Sequence, residues 1–109
     1  MANTFKLKTK ANVGVTTVGI YTAPAATTTV VIGNTLSNTS GSGVNVGVGI
    51  TRAGTTEDVK LLKNAPIPQG SSLEFMAGNK VVLETTDTLT VDSDTNSSVD
   101  AALTIMEIT

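Results

Sequence analysis

Four oxygen-bearing side chains in one short run are the first place to look for chemistry. In DSDTNSSVD, Asp92, Asp94, Asn96 and Asp100 stand where a calcium-binding loop has its first, third, fifth and ninth positions. Such a loop needs glycine at its sixth position for a sharp turn and glutamate at its twelfth to close the cation with two oxygens. Those places hold Ser97 and Leu103. The spacing therefore fits a polar hairpin turn better, with Asp, Asn and Ser side chains holding backbone groups. A weak oxygen-ligand site, at a subunit contact, is the alternative.

Other chemistry finds few carriers. Histidine and cysteine are absent, so neither a Ser-His-Asp nor a Cys-His arrangement can be assembled, and no disulfide or cysteine-based zinc site can form. A Ser–Lys pair is formally available, but the many hydroxyls read as strand and turn surface. Paired carboxylates could cleave a glycoside, yet aromatic residues make up only 3%, and sugar pockets present stacking rings. The run GSGVNVGVG lacks the Lys-Ser/Thr of a phosphate loop and leads into a strand. Asn38-Thr39-Ser40 and Asn96-Ser97-Ser98 match glycosylation acceptors by chance. The expectation is a protein that is not an enzyme and carries no cofactor.

Charge points toward contact. Lys6, Lys8 and Lys10 lie in the first ten residues, whereas Glu84, Asp87, Asp92, Asp94 and Asp100 lie in the final third. Either these are solvated faces, or a basic N-terminal arm over residues 1–10, with Phe5, Lys6 and Lys8 in contact, reaches an acidic patch on a neighbour and sets its register. On the second reading, trimming the arm leaves the domain folded. The 7 basic and 9 acidic residues, net charge −2, argue against nucleic-acid binding and against an electrostatic membrane role. No apolar run resembles a signal peptide or a membrane span, so a soluble product that starts in the cytoplasm of whatever cell makes it is expected.

The elements that must position these residues are strands. Thr and Val dominate, and β-branched side chains suit a pleated sheet. In GVNVGVGIT, Val44, Val46, Val48 and Ile50 fall on one side of an extended chain, and Asn45, Gly47, Gly49 and Thr51 on the other. The glycine side has nothing to pack with, so it either faces water and the chain's own loops or lets a second backbone approach. Asn45, Gly47 and Gly49 are thus candidate interface residues.

Elsewhere, Phe5 and Leu7 alternate with Lys6 and Lys8 in a short strand or arm, and Val18 and Ile20 begin the next strand. TTTVVIGNTLSN alternates with Val30, Ile32 and Leu36 on one side. VKLLK is a strand stub, EDVKLLKNA the best helical candidate, and NAPIPQGSS, with two prolines, an extended corner outside any ladder. Leu73 and Phe75 point inward, as do Leu89 and Val91. Val99, Ala101, Leu103 and Ile105 share one side of the last strand. Eight or nine short strands with turns every 8–12 residues predict one all-β domain over residues 1–109, an antiparallel β-sandwich of jelly-roll or Ig-like type.

The order of these pieces resembles the small β-sandwich virion proteins of tailed bacteriophages. YTAPAATTTVVIGNTLSNTSGSGVNVGVGIT is similar to their segment from a tyrosine-threonine-x-proline turn into an alternating Val strand. LLKNAPIPQGSSLEF resembles their proline-containing corner, KVVLETTDTLTV their paired strands around an acidic turn, and VDAALTIMEIT their terminal strand. The opening MANTFKLKTK also looks like the start of such proteins. The resemblance covers roughly Thr17 to Thr109 and carries no binding residue. It implies a homo-oligomeric virion structural protein: a capsid decoration or cement protein touching the major capsid protein, or alternatively a neck or tail component. A host-surface glycan-binding module is the less favoured alternative.

Overall fold

Alternation of β-branched and polar residues puts nearly every described segment into strands. The structure, a computed structural model, describes residues 3–52, 57–74 and 80–109. Nine strands follow: β1 (Asn3–Val13), β2 (Val18–Thr22), β3 (Thr28–Asn38), β4 (Val44–Arg52), β5 (Glu57–Ile67), β6 (Ser72–Glu74), β7 (Val81–Leu83), β8 (Thr88–Ser93) and β9 (Val99–Ile108). The larger sheet runs β1-β9-β3 with β6 and β7 both pairing the far side of β3; the smaller runs β2-β8-β4-β5. Every pairing is antiparallel.

The pairs nest: β4 with β5, β3 with β6 and β7, β2 with β8, β1 with β9. The chain is in effect one long hairpin with its tip at β4–β5, rolled so that successive pairs alternate between two sheets. This is the jelly-roll order. In an Ig-like sandwich the first two strands share a sheet; here β1 and β2 do not.

Aliphatic side chains fill the space between the sheets. Val31 and Leu36 of β3, Val44, Val46 and Val48 of β4, Leu89 and Val91 of β8, and Val99, Leu103 and Ile105 of β9 are all buried, with Leu83 and Ile67 beside them. Tyr21 is the single aromatic residue in this cluster.

Four expectations change. On β3 the inward residues are Thr29 and Val31, then Asn34, Leu36 and Asn38. A bulge between Val31 and Gly33 shifts the phase, which turns Val30 and Ile32 away from the core that holds Leu36. The helical candidate and the strand stub are both part of β5, which also takes in Pro66, paired with Asn45. Proline is tolerated because β5 is an edge strand, where a missing N–H costs no ladder bond. The N-terminal arm is a full strand: Asn3 through Lys10 pair residue by residue with Ile108 through Ala101. Phe75 lies outside the described residues, as do most of the turns RAGTTED and AGNK.

Candidate functional site

The N-terminal strand reverses the usual sidedness. Its pairing places Lys6 opposite Ile105 and Lys8 opposite Leu103, both core residues, so the lysines point to the inner face. Phe5 and Leu7 point outward and are 69% and 65% exposed. Inward-pointing charge on an edge strand is a known protection against unwanted pairing. Here it also has a partner. Lys6 Nζ lies 2.9 Å from Glu107 Oε1, and the Tyr21 hydroxyl donates to Glu107 Oε2 at 2.5 Å. With that proton committed, Thr29 donates its own hydroxyl to Tyr21 Oη at 2.8 Å. Lys8 Nζ stands 6.0 Å above the Tyr21 ring.

This clasp ties β2 of the smaller sheet to β1, β3 and β9 of the larger. Burial, followed by the hydrogen bond to Glu107, pushes the Tyr21 phenol up to about 12. The Tyr21 hydrogen bond, followed by that of Lys6, holds the Glu107 carboxyl below its ordinary range. A phenol shifted that way keeps its proton at neutral pH, which makes the group a lock between sheets and a poor acid–base pair. Glu107 was findable in sequence, because it continues the inward series Val99, Ala101, Leu103, Ile105 with a carboxylate.

The aspartate-rich turn does not converge. Asp92, on β8, faces the outside of the smaller sheet and accepts the Thr17 hydroxyl at 3.0 Å. Asp94 accepts the Asn45 backbone N–H at 3.1 Å. Asp100, on β9, faces the outside of the larger sheet and accepts the Asn12 N–H at 3.0 Å. Asn96 is exposed beside Gly14, and Ser97 takes the left-handed conformation that glycine would occupy in a calcium loop. Asp92 and Asp100 therefore lie on opposite faces of the sandwich, and among the described residues no group of three or more potential ligands could hold a metal ion. The run is a polar turn.

The glycine side of β4 is covered by the chain itself. Gly47 and Gly49 are buried. The Asp92 carboxylate of β8 occupies the space a Gly47 Cβ would need, and the Val59 carbonyl of β5 lies 2.8 Å from where a Gly49 Cβ would sit, with the Thr90 hydroxyl at 3.3 Å. No second backbone is needed to explain these glycines. Of the three proposed contact residues on β4, Asn45 alone stays exposed.

Asn38 is not available as a glycosylation acceptor. It is buried, and its amide donates to the Ser42 and Ile67 carbonyls while its oxygen accepts from Ser40. Asn34 is fully buried with neither amide atom paired.

Two features absent from the sequence reading are surface ones. Cross-strand register aligns Phe5 with Met106, Met106 with Val30, and Val30 with Val82. These four residues form an apolar row across the outer face of the larger sheet, from one edge strand to the other. Its end members, Phe5 at 69% and Val82 at 55%, are the exposed ones. Beside Val82, a cleft of about 370 Å³ is lined by Ile50, Arg52, Val59, Val82, Glu84 and Asp87. Arg52 bridges Glu84 at 2.5 Å and Asp87 at 3.4 Å across it.

No protein-family model matches the chain, and neither does any curated protein sequence. Among the solved structures that share the fold are these two. One is described as "Bacillus endospore appendages form a novel family of disulfide-linked pili": 15% identical, TM-score 0.60, covering 99% of this chain and 87% of that one. The other, "Structure of infectious bursal disease virus Gx strain", is 12% identical, with TM-score 0.50, covering 98% of this chain and 37% of that one. The first is disulfide-linked, whereas these 109 residues contain no cysteine. Among the described residues no helix is long and apolar enough to cross a membrane.

Proposed function

We propose that this chain is a non-catalytic building block that works by packing in many copies into a larger particle. The observation that carries this reading is the outward row of Phe5, Met106, Val30 and Val82. The solvated face of an antiparallel sandwich normally alternates to polar residues. An apolar line crossing the whole sheet marks a surface that another protein covers.

The finer reading is a tailed-phage virion protein, and within the virion a decoration or cement protein on the capsid shell. It draws on the resemblance of the sequence to small virion β-sandwiches, and a viral protein is among the chains that share the fold. Quantitative mass spectrometry of purified particles tests it. Copies in proportion to the major capsid protein support decoration. A single ring's worth of copies per particle moves the protein to the neck or tail. Confinement to the free protein of the lysate overturns the proposal.

A second reading, the repeating unit of a surface fibre, is favoured by the likeness to the appendage subunit over nearly the whole chain. Immunogold labelling separates the two: label along filaments favours the fibre, and label on particles the virion.

A further inference from the structure

We infer that copies of this chain join side by side, residues 5–7 of one copy seating in the cleft at the opposite edge of the next. The inference rests on the building-block reading and names its partner, a second copy. The sheet orders place the knob and the cleft on opposite flanks. β1 and β2 are the edge strands on one side, β5 and β7 on the other. Three strand spacings, about 14 Å, separate them across each sheet.

The chemistry of the two flanks is complementary. The knob offers Phe5 and Leu7, the two most exposed large apolar side chains among the described residues. The cleft offers Ile50, Val59 and Val82, of which Val59 is 41% exposed. Around the knob, Lys6 pairs with Glu107 and Lys8 stands over the Tyr21 ring, with Asp100 near Lys10 further along β1, an excess of positive charge beside Phe5 and Leu7. Around the cleft, Glu84 and Asp87 outnumber Arg52, and among the flanking residues Glu57 and Asp58 offset Lys60 and Lys80, which leaves an excess of negative charge. Opposite signs on the two flanks favour head-to-tail contact and penalise knob against knob.

Continuity gives a further argument. The apolar row ends at Phe5 on one edge and at Val82 on the other, and its middle members Met106 and Val30 are already half-buried. Side-by-side contact brings the two exposed ends together and makes one unbroken row across copies. Such a contact is heterologous, so it builds rings or open chains and does not close at a dimer.

Sedimentation velocity on the full chain tests this. The wild-type mass should rise with concentration without stopping at two copies. A knob variant, Phe5→Asp with Leu7→Asp, and a cleft variant, Val59→Asp with Val82→Asp, should each associate at least about tenfold more weakly, which corresponds to about 1.4 kcal/mol. Mixed together they should form one-to-one heterodimers and nothing larger, because each retains one working flank. Phe5→Thr with Leu7→Thr keeps strand propensity and serves as the knob variant should the charged pair fail to fold, with unchanged melting as the control. A wild-type monomer at the highest soluble concentration overturns the inference, and so does a mixture that stays monomeric. A monomer in solution that is abundant in purified particles sinks this contact and leaves the building-block reading intact. Chains in solution with none in particles do the opposite.

Discussion

At the scale of single residues, the molecule stakes its sheet-to-sheet alignment on Tyr21 and Glu107. The two groups titrate in opposite windows. Glu107, held low by Tyr21 and Lys6, favours the folded state above the ordinary carboxylate pKa, and that contribution is lost as pH falls through its lower folded value. Glu107→Gln should therefore flatten the acid limb of a stability–pH profile. Tyr21 keeps its proton to about 12 in the fold, whereas an unfolded phenol releases it near 10.0. Stability from this group is complete below the lower value and is lost as pH rises between the two. Tyr21→Phe should abolish that alkaline loss and, at neutral pH, cost about 1–3 kcal/mol because Glu107 and Thr29 lose a buried partner. Urea titrations across pH measure both. Thr86 offers the reverse case. It is a β-branched residue at φ 71°, exposed, in the turn closed by the Asp87 N–H to the Glu84 carbonyl at 2.9 Å. Thr86→Gly relieves that strain and keeps both that bond and the one from the residue 86 N–H to the Ala23 carbonyl, 2.9 Å. It should raise the unfolding free energy by about 0.5–1 kcal/mol after the entropy glycine adds to the unfolded chain, read as a higher urea midpoint at unchanged m.

At the scale of strands, the two glycines of β4 make separable predictions. An alanine at position 47 meets the end of the Asp92 side chain, which can swing away if it gives up Thr17. An alanine at position 49 meets the Val59 carbonyl, which is backbone and cannot. Gly49→Ala should thus cost more than Gly47→Ala, both within about 1–3 kcal/mol, and Asp92→Ala should rescue only position 47. A double-mutant cycle in urea reads the coupling, and equal rescue at both positions contradicts the account. The same strands show what a sequence makes visible. The inward series of β9 and of β4 was legible because an unbroken period of two, rich in Val, Ile and Leu, has one sensible burial. β3 was not, because its bulge swaps the two faces midway and no residue type marks the swap. Pro66 misled because the rule against proline in ladders holds for central strands, and pairing order is invisible locally. On β1 alternation gave the two faces but not which one is inside: Phe5, Lys6 and Lys8 group together as contact residues, yet the inner face belongs to Lys6 and Lys8, and Glu107, the partner of Lys6, is about a hundred residues away. The surface row has no local signature for a related reason, since it exists only once four strands are in register.

At the scale of the whole molecule, nesting governs both integrity and folding. Because β1 pairs along β9 and Lys6 answers Glu107, deleting residues 1–10 removes a sheet strand and strands a buried carboxylate, so the shortened chain should lose its cooperative urea transition, unlike the Phe5 and Leu7 point variants. The nested order also dictates a sequence of events. The β4–β5 hairpin at the tip joins neighbours in the chain, whereas Asn3 must find Ile108. Loop-closure entropy makes the outer pairs costly until the inner ones have formed, after which each further pair closes only a short gap. Folding should therefore be slow for the size, milliseconds to seconds as in other sheets built from distant contacts. The transition state should be structured at the tip and open at the termini. In stopped-flow refolding, Val46→Ala on β4 should slow folding with a φ-value of roughly 0.5–0.8, while Ile105→Val on β9 should mainly speed unfolding, with φ of about 0–0.3. Both side chains are buried in the same core, so burial alone predicts no difference between them. The reverse order of φ-values would show that the chain closes its ends first, and that the rolled-hairpin description captures the final pairing without the route to it.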